Sequence, residues 1–303
     1  MTQSDARYPY DEFSMFHENA AEFDIPYDGP PVVRRESVPL GDGRSLSALV
    51  WGDAEPELVL LHGGAQNAHT WDTVALALAR PLVALDLPGH GHSDGFKGGV
   101  RHLLDNADDV ATAIRALAPN ARAVIGMSMG GATLLALCDR HPALVRRAVL
   151  VDVTPGVNAD KAKAITDFVR GPASFPDFDA ILARTVEHNP TRSVSSLRRG
   201  ILHNAEQQDD GTWVWRYARF LSVEPAAPVA EGFVDLWDVV SALEVPLMLV
   251  RGMLPQSVVD DDDEAELRRR APSARVEHVA NAGHSVQGDA PVELARLIAD
   301  FAR

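Results

Sequence analysis

The stretch Ala123-Val-Ile-Gly-Met-Ser-Met-Gly-Gly131 decides the fold of this chain. An apolar run ends at Gly126, residues 126–130 fit the pattern G-x-S-x-G, and a helix-like run follows. A strand–turn–helix of this kind is so tight that only glycine fits at the positions flanking the serine. The hydroxyl of Ser128 then stands clear of the sheet, and the Met129 N–H lies at a helix N-terminus, where negative charge is favoured. The stretch predicts a nucleophilic serine rather than an ordinary Gly/Ser turn.

Apolar runs alternate with helical patterns along most of the chain. The strand candidates are Val32–Pro39, Ser45–Trp51, Glu57–Leu61, Leu82–Leu85, Ala121–Ile125, Ala148–Val151, Pro246–Val250 and Arg275–Val279. Helical patterns lie near residues 72–79, 103–117, 131–141, 264–271 and 291–302. This alternation predicts an α/β fold with a mainly parallel eight-stranded sheet, covered by helices on both faces.

The alternation stops in the middle of the chain, which defines the expected domain organisation. Residues 1–30 are predicted to form an N-terminal arm, and residues 31–155 and 241–303 the α/β core. Residues 156–240 read as an insertion, and an insertion between two sheet strands is normally a lid over the active face. A helical lid is therefore expected. Its elements are the amphipathic patterns Ala159–Arg170, Phe178–His188 and Ser193–Asn204, with the Trp-rich piece Thr212–Tyr217.

Composition limits the function classes. The chain has 303 residues, 46% of them hydrophobic, and a formal net charge of −15, which argues against nucleic acid or anionic lipid as the main partner. A single cysteine excludes an internal disulfide. The N-terminus lacks the apolar region of a secretory signal, and the longest apolar stretch is too short to span a bilayer. We expect a cytoplasmic protein with no integral membrane segment.

The second half of an oxyanion hole is predicted after the strand Leu58–Leu61. There His62-Gly-Gly64 carries glycines whose backbone N–H groups can face a substrate oxygen. We assign the two donors to Gly64 and Met129. His62 itself is interpreted as a structural residue that braces the loop.

A second loop, Asp86-Leu-Pro-Gly-His-Gly-His-Ser93, invites a metal-site interpretation because it holds an aspartate and two histidines. No further ligand cluster supports a metal, whereas glycine and proline favour a sharp structural turn. The loop is therefore expected to be structural, and no metal is predicted.

The general base is expected in the loop Ala280-Asn-Ala-Gly-His-Ser285, which precedes the last helix. A histidine after the last strand of the sheet can reach a serine that follows an inner strand. Among the eleven histidines, His284 is the one so placed, with Gly283 freeing the backbone before it. The alternative is a capped loop histidine without a catalytic role.

Two places compete for the acid that orients this histidine. Asp152 ends the strand Ala148–Val151, where a lone buried carboxylate is costly unless it is paired. The alternatives are Asp260, Asp261, Asp262 and Asp263, which follow a later strand. That acidic run is also explained by capping and charge at the start of a helix whose last turn is basic. The desolvation argument favours Asp152.

In combination, these motifs resemble the α/β-hydrolase superfamily from about Val32 to the C-terminus. The wider pattern, with Gly211-Thr-Trp-Val-Trp-Arg-Tyr217, is similar to actinobacterial, mycobacterial-type esterases of that superfamily. The resemblance implies hydrolysis of carboxylic esters, without a cofactor, under a helical lid. Many members place the acid where this chain has Gln256. A subset places it in an Asp-x-x-Pro turn after the preceding strand, as Asp152-Val-Thr-Pro155 would.

The resulting hypothesis is a serine hydrolase that acts on a small-molecule ester. Ser128 attacks, His284 takes its proton, Asp152 orients His284, and the Gly64 and Met129 N–H groups hold the oxyanion. Thioesterase, C–C bond hydrolase, cofactor-free haloperoxidase and acyltransferase activities use the same groups and stay open. A non-catalytic binding protein of this fold is a further alternative. A serine at this turn argues against haloalkane dehalogenases and epoxide hydrolases, which need a carboxylate nucleophile.

Overall fold

The computed structural model describes residues 7–96, 105–157, 160–189, 192–217 and 235–303. The strands are β1 (Val33–Leu40), β2 (Arg44–Trp51), β3 (Leu58–Leu61), β4 (Leu82–Leu85), β5 (Ala123–Met127), β6 (Ala148–Val151), β7 (Ser174–Phe175), β8 (Ala205–Gln207), β9 (Trp213–Trp215), β10 (Leu247–Gly252) and β11 (Arg275–Val279). The helices are α1 (Phe16–Glu22), α2 (Asp72–Leu78), α3 (Asn106–Leu117), α4 (Met129–Arg140), α5 (Lys163–Val169), α6 (Phe178–His188), α7 (Val194–Asn204), α8 (Leu236–Ala242), α9 (Asp261–Arg270), α10 (Val286–Asp289) and α11 (Pro291–Phe301). None of the described helices is both long and apolar enough to cross a bilayer.

The main sheet has eight strands in the order β1-β2-β4-β3-β5-β6-β10-β11. Strand β2 is antiparallel to β1 and β4. The remaining strands of this sheet are parallel to one another, namely β4, β3, β5, β6, β10 and β11. The carboxyl ends of parallel strands meet at one edge of a sheet. Ser128 follows β5, Asp152 follows β6, and His284 lies in the loop after β11, so the topology directs all three residues to the same edge.

Both faces of the sheet are buried, as the apolar strands predicted. In β3, Val59 and Leu61 belong to one apolar cluster, and Leu58 and Leu60 belong to the other. Helices α3 and α4 cover the first face, and α2 and α11 cover the second. This alternation explains why the inner strands read as continuous apolar runs. The predicted fold class is confirmed.

The segment between β6 and α8 has an apolar cluster of its own. It contains α5, α6, α7 and a small antiparallel sheet in the order β7-β9-β8. The sequence predicted helices there and no element for the Trp-rich piece, which forms β9. Its two indoles, of Trp213 and Trp215, are buried against Phe175 and other apolar side chains. Alternating bulky residues suit a strand once a partner strand is available, so the insertion is not purely helical.

One boundary of the predicted insertion and the start of one of its helices differ from the structure. Helix α8 contributes Val239 and Val240 to the main apolar cluster, so the core resumes before residue 241. A helix was predicted from Ala159, but helix α5 begins at Lys163. Ala159 lies outside the described residues, as do residues 103–104 at the start of the helix predicted over 103–117.

The N-terminal arm connects the core to the inserted segment. Phe16 of α1 packs on Trp51 of β2 with ring centroids 5.0 Å apart. Glu12 hydrogen-bonds to Arg35 of β1, whereas Glu22 pairs with Arg199 of α7. The arm therefore holds the inserted segment against the sheet.

Candidate active site

Ser128 occupies the strained turn that the sequence predicts between β5 and α4. Its backbone angles are φ 51° and ψ −118°, a region that non-glycine residues rarely adopt. The turn is also crowded. A Cβ atom on Gly126 would overlap the backbone of Gly130, and one on Gly130 would overlap the carbonyl oxygen of Leu61. Both glycines are therefore required sterically, and the serine is presented at the sheet edge.

Asp152 and His284 form a buried pair at the same edge. Oδ2 of Asp152 lies 2.9 Å from Nδ1 of His284, and the carboxylate is fully buried. A carboxylate can only accept, so the imidazole carries its proton on Nδ1, and Nε2 keeps a lone pair. That is the tautomer that a general base requires.

Three further donors hold the Asp152 carboxylate. Its oxygens accept from the Gly252 N–H at 2.9 Å, the Ser257 hydroxyl at 2.6 Å and the Val258 N–H at 3.1 Å. With His284, these contacts give both oxygens of the buried carboxylate two hydrogen-bond partners each. Sequence reasoning did not identify these donors, because no local pattern shows that the loop after β10 folds over the end of β6.

The alternative acids lie elsewhere. Asp260 accepts from the N–H of Asp263 at 2.9 Å, and Asp263 accepts from that of Asp260 at 3.1 Å, which is a capping box at the start of α9. Asp261 pairs with Arg251 at 2.8 Å, and Asp262 is exposed. In the described chain, Asp152 is the carboxylate that hydrogen-bonds to His284.

The predicted oxyanion donors have free N–H groups. The neighbouring N–H groups both have acceptors. The Gly63 N–H donates to Gln66 Oε1 at 3.2 Å, and the Ala65 N–H donates to His90 Nε2 at 3.1 Å. Within the described ranges, no acceptor takes the N–H of Gly64 or of Met129 at the first position of α4. Both donors are therefore available to an external oxygen.

His62 and Asp86 brace the loops around the site. His62 Nε2 accepts from the Leu87 N–H at 2.9 Å and its Nδ1 donates to the Gly63 carbonyl at 2.7 Å. Burial lowers the pKa of His62, so the ring is neutral near pH 7. Burial opposes ionisation of Asp86, but Arg35 and backbone N–H groups lower its pKa. Both residues have the structural contacts that the sequence predicted.

A cavity of about 420 Å³ opens over the serine and the histidine. Ser128, His284 and Gly64 line its floor, and α5 of the inserted segment contributes Ile165 and Phe168. A ligand in this cavity would lie between the sheet edge and the inserted segment.

The sequence analysis did not identify a cluster formed by His69, Asp72, His203 and Glu12. The two imidazoles stack with centroids 3.7 Å apart, and His69 donates to Asp72 Oδ2 at 2.8 Å and to Glu12 at 3.0 Å. His69, Asp72 and His203 each place one possible metal-ligand atom within 4.8 Å of the others. Burial disfavours the cation, but Asp72 and Glu12 raise the pKa of His69 to about 9. A metal would have to displace that proton.

Comparison with known proteins identifies the family. The model of the alpha/beta hydrolase family matches residues 58–297. The chain belongs to this family. It is 41% identical to esterase Rv0045c of Mycobacterium tuberculosis (strain ATCC 25618 / H37Rv), over 98% of each chain. A solved structure of that esterase superposes with a TM-score of 0.81 at 42% identity, covering 96% of this chain and 98% of the other. A pimeloyl-[acyl-carrier protein] methyl ester esterase of Sodalis glossinidius (strain morsitans) is 28% identical over 84% of this chain and 98% of its own.

Proposed function

We propose that this protein is a carboxylesterase that uses Ser128 as nucleophile, His284 as general base and Asp152 as the orienting acid. The observation that carries the proposal is the 2.9 Å contact between Asp152 and His284, because it fixes the imidazole tautomer in the cavity that Ser128 lines. The similarity to an esterase over nearly the whole chain supports the same activity.

The reaction proceeds through an acyl-enzyme. His284 Nε2 takes the hydroxyl proton as Ser128 Oγ bonds to the ester carbonyl carbon, and the oxyanion accepts from the Gly64 and Met129 N–H groups. The imidazolium then gives its proton to the leaving alkoxide as the C–O bond breaks. Water attacks the acyl-enzyme with the same base, which releases the acid and restores the serine.

The inserted segment, residues 156–240, acts in this proposal as a lid. Helix α5 places apolar side chains over the floor of the cavity, where they exclude water from the acyl group. A small-molecule ester is the substrate, no cofactor takes part, and a cytoplasmic location remains a prediction.

Two measurements test the proposal together. Labelling with a fluorophosphonate probe, followed by peptide mapping, should modify Ser128. A panel of p-nitrophenyl esters of increasing chain length, run beside acyl-CoA thioesters of the same acids, should show turnover of the oxygen esters. Preferred turnover of the thioesters would instead assign thioesterase activity to the same groups. An unlabelled, folded protein with no ester turnover would leave a binding protein of this fold.

A further inference from the structure

Arg192 is largely withdrawn from solvent, yet it has no carboxylate partner in the described chain. Its side chain hydrogen-bonds to the Ser196 hydroxyl, and no ion pair with a described acidic residue forms. Five other arginines with little exposure pair with acids at short distance. They are Arg35 with Asp86, Arg44 with Asp109, Arg199 with Glu22, Arg216 with Glu206 and Arg251 with Glu264.

The carboxylates nearest to Arg192 are engaged by other donors. Glu22 accepts from Arg199 and from the Ser193 hydroxyl. Asp289 accepts from the Gly283 N–H at 2.9 Å. Burial lowers the pKa of Arg192, and these two carboxylates only partly oppose that effect. A guanidinium withdrawn from water without an ion partner is costly unless an anion arrives to pair with it.

Arg192 lines the cavity of the proposed reaction. It lines the 420 Å³ cavity that contains Ser128 and His284, and it also lines an adjoining cavity of about 180 Å³. A Cβ on Gly288 would overlap its guanidinium, so the group lies close against α10, directly after the loop of His284. The guanidinium thus stands where the two cavities meet.

We propose that Arg192 binds a carboxylate carried by the ester, so that the enzyme selects substrates with a second, anionic end. This inference rests on the proposed esterase function. The planar fork of a guanidinium matches a carboxylate and can donate two parallel hydrogen bonds to it. Because the formal net charge of the chain is −15, the overall field repels anions, and recognition has to come from a local cation such as this one.

The test compares charged esters with neutral esters of the same shape. Mono-p-nitrophenyl esters of succinate, glutarate and adipate are run against esters in which an isopropyl group replaces the terminal carboxylate. A second arm places the charge on the alcohol side, with the acetyl ester of a hydroxybenzoate against that of cresol. For at least one charged ester, the wild-type kcat/KM should exceed that of its neutral partner by about tenfold or more. The arm in which this occurs identifies the end of the substrate that Arg192 contacts.

Variants assign the preference to the guanidinium. Arg192→Gln should reduce the ratio of charged to neutral kcat/KM to about one or below, mainly through KM. Arg192→Lys keeps the charge but loses the fork, so its ratio should be intermediate. The control is Arg198→Gln, which removes an arginine of α7 that pairs with Glu18 at 3.6 Å, and it should retain the wild-type ratio.

The outcomes separate the two proposals. Turnover of neutral esters with no preference for any charged ester overturns the role of Arg192 and leaves the esterase function intact. A preference that survives in a folded Arg192→Gln protein overturns it as well. Absence of turnover for every ester contradicts the esterase function itself. If Arg192→Gln fails to fold, the wild-type ratio and the Arg192→Lys ratio still decide the question.

Discussion

Oδ2 of Asp152 accepts a hydrogen bond of 2.9 Å from Nδ1 of His284, although 132 residues separate the two in sequence. The pairing is a consequence of strand order. Strands β6, β10 and β11 are parallel neighbours, so the residues that follow β6 and β11 emerge at the same edge of the sheet. The inserted segment and α9 lie between them in sequence without disturbing that alignment.

The identity of the acid gives the first prediction. Asp152→Asn should lower ester turnover by about 10³–10⁴. This is the scale of the fall in kcat when an amide replaces the acid of a catalytic triad and no longer holds the imidazole in the required tautomer. Asp260→Asn serves as the matched control, because Asp260 caps α9. It should change turnover by less than about tenfold and cost less than about 1 kcal/mol of stability, because asparagine caps a helix about as well as aspartate. Steady-state kinetics and a denaturant titration measure both effects.

The other three acids of the run are expected to behave like Asp260. Asn substitutions of Asp261, Asp262 and Asp263, made one at a time, should also leave turnover within about tenfold of wild type. If one of these variants lost activity a thousandfold while Asp152→Asn stayed active, the assignment of the acid would be wrong.

The nucleophile gives the second prediction. Ser128→Ala should reduce ester turnover by at least about 10³-fold while leaving the protein folded, because the hydroxyl reacts and does not pack. Ser241→Ala is the control, since the Ser241 hydroxyl donates to Trp237 on α8, outside the cavity. Turnover of a p-nitrophenyl ester and a thermal melt are measured for both. Substantial residual activity in Ser128→Ala would exclude this serine as the nucleophile.

The fold was predictable because its strongest signals are local. Each inner strand is a short apolar run buried on both faces, and Gly126 and Gly130 mark a turn where strand and helix nearly touch. The small sheet of the inserted segment was not predictable in the same way. Strands β7 and β8 have two and three residues, and their pairing with β9 depends on the buried cluster around Trp213 and Trp215. Such pairing is set by tertiary contacts rather than by pattern.

The residues of the candidate site likewise differ in whether a local pattern predicts them. Ser128, Gly64 and Met129 follow from motifs, and His284 follows from its place after the last strand. Asp152 could be favoured only through the cost of an unpaired buried charge. Ser257 contacts Asp152, and Arg192 lacks a carboxylate partner in the described chain. Both features depend on how distant segments pack, so no sequence pattern indicates them.

The crowding of the turn gives the third prediction. A Cβ on Gly130 would overlap the Leu61 carbonyl oxygen, and backbone cannot yield as a flexible side chain can. Gly130→Ala should therefore destabilise the protein by at least about 2 kcal/mol and impair turnover by displacing Ser128. Gly200→Ala is the control, because nothing lies within 4 Å of its Cβ position in α7. It should gain about 0.5–1 kcal/mol, as measured by urea unfolding. Equal effects of the two substitutions would contradict a steric requirement at the turn.

The last prediction concerns pH. It follows from the cluster formed by His69, Asp72, His203 and Glu12. Burial disfavours charge on His69, but Asp72 and Glu12 raise its pKa from 6.5 to about 9. Burial alone would raise the pKa of Glu12, but hydrogen bonds from His69 and Arg35 lower it from 4.5 to about 2. The other groups against the His69 ring are the Arg35 guanidinium, 3.4 Å from Nε2, and the stacked imidazole of His203.

The sign of each contribution follows from linkage. A raised histidine pKa stabilises the fold fully below pH 6.5, and that contribution is lost as the pH rises through about 9. The lowered pKa of Glu12 stabilises above pH 4.5, and its contribution is lost as the pH falls through about 2. His69 and Glu12 together therefore stabilise the protein most between pH 4.5 and 6.5. His203 acts in the opposite direction, because its lowered pKa costs stability as the pH falls below 6.5. Between pH 6.5 and 9, His69 should account for a loss on the order of 2 kcal/mol in the free energy of unfolding.

His69→Gln isolates that contribution. The variant should be less stable than wild type at pH 6, and the difference should shrink on going to pH 9, because the wild type alone loses the imidazolium. His17→Gln is the control, since His17 is exposed and its Nδ1 bonds only to the carbonyl of Ser14 among the described residues, so its pH profile should parallel wild type. Urea unfolding at several pH values measures the three curves. A His69→Gln curve parallel to wild type from pH 6 to 9 would show that His69 carries no linked proton in the folded state.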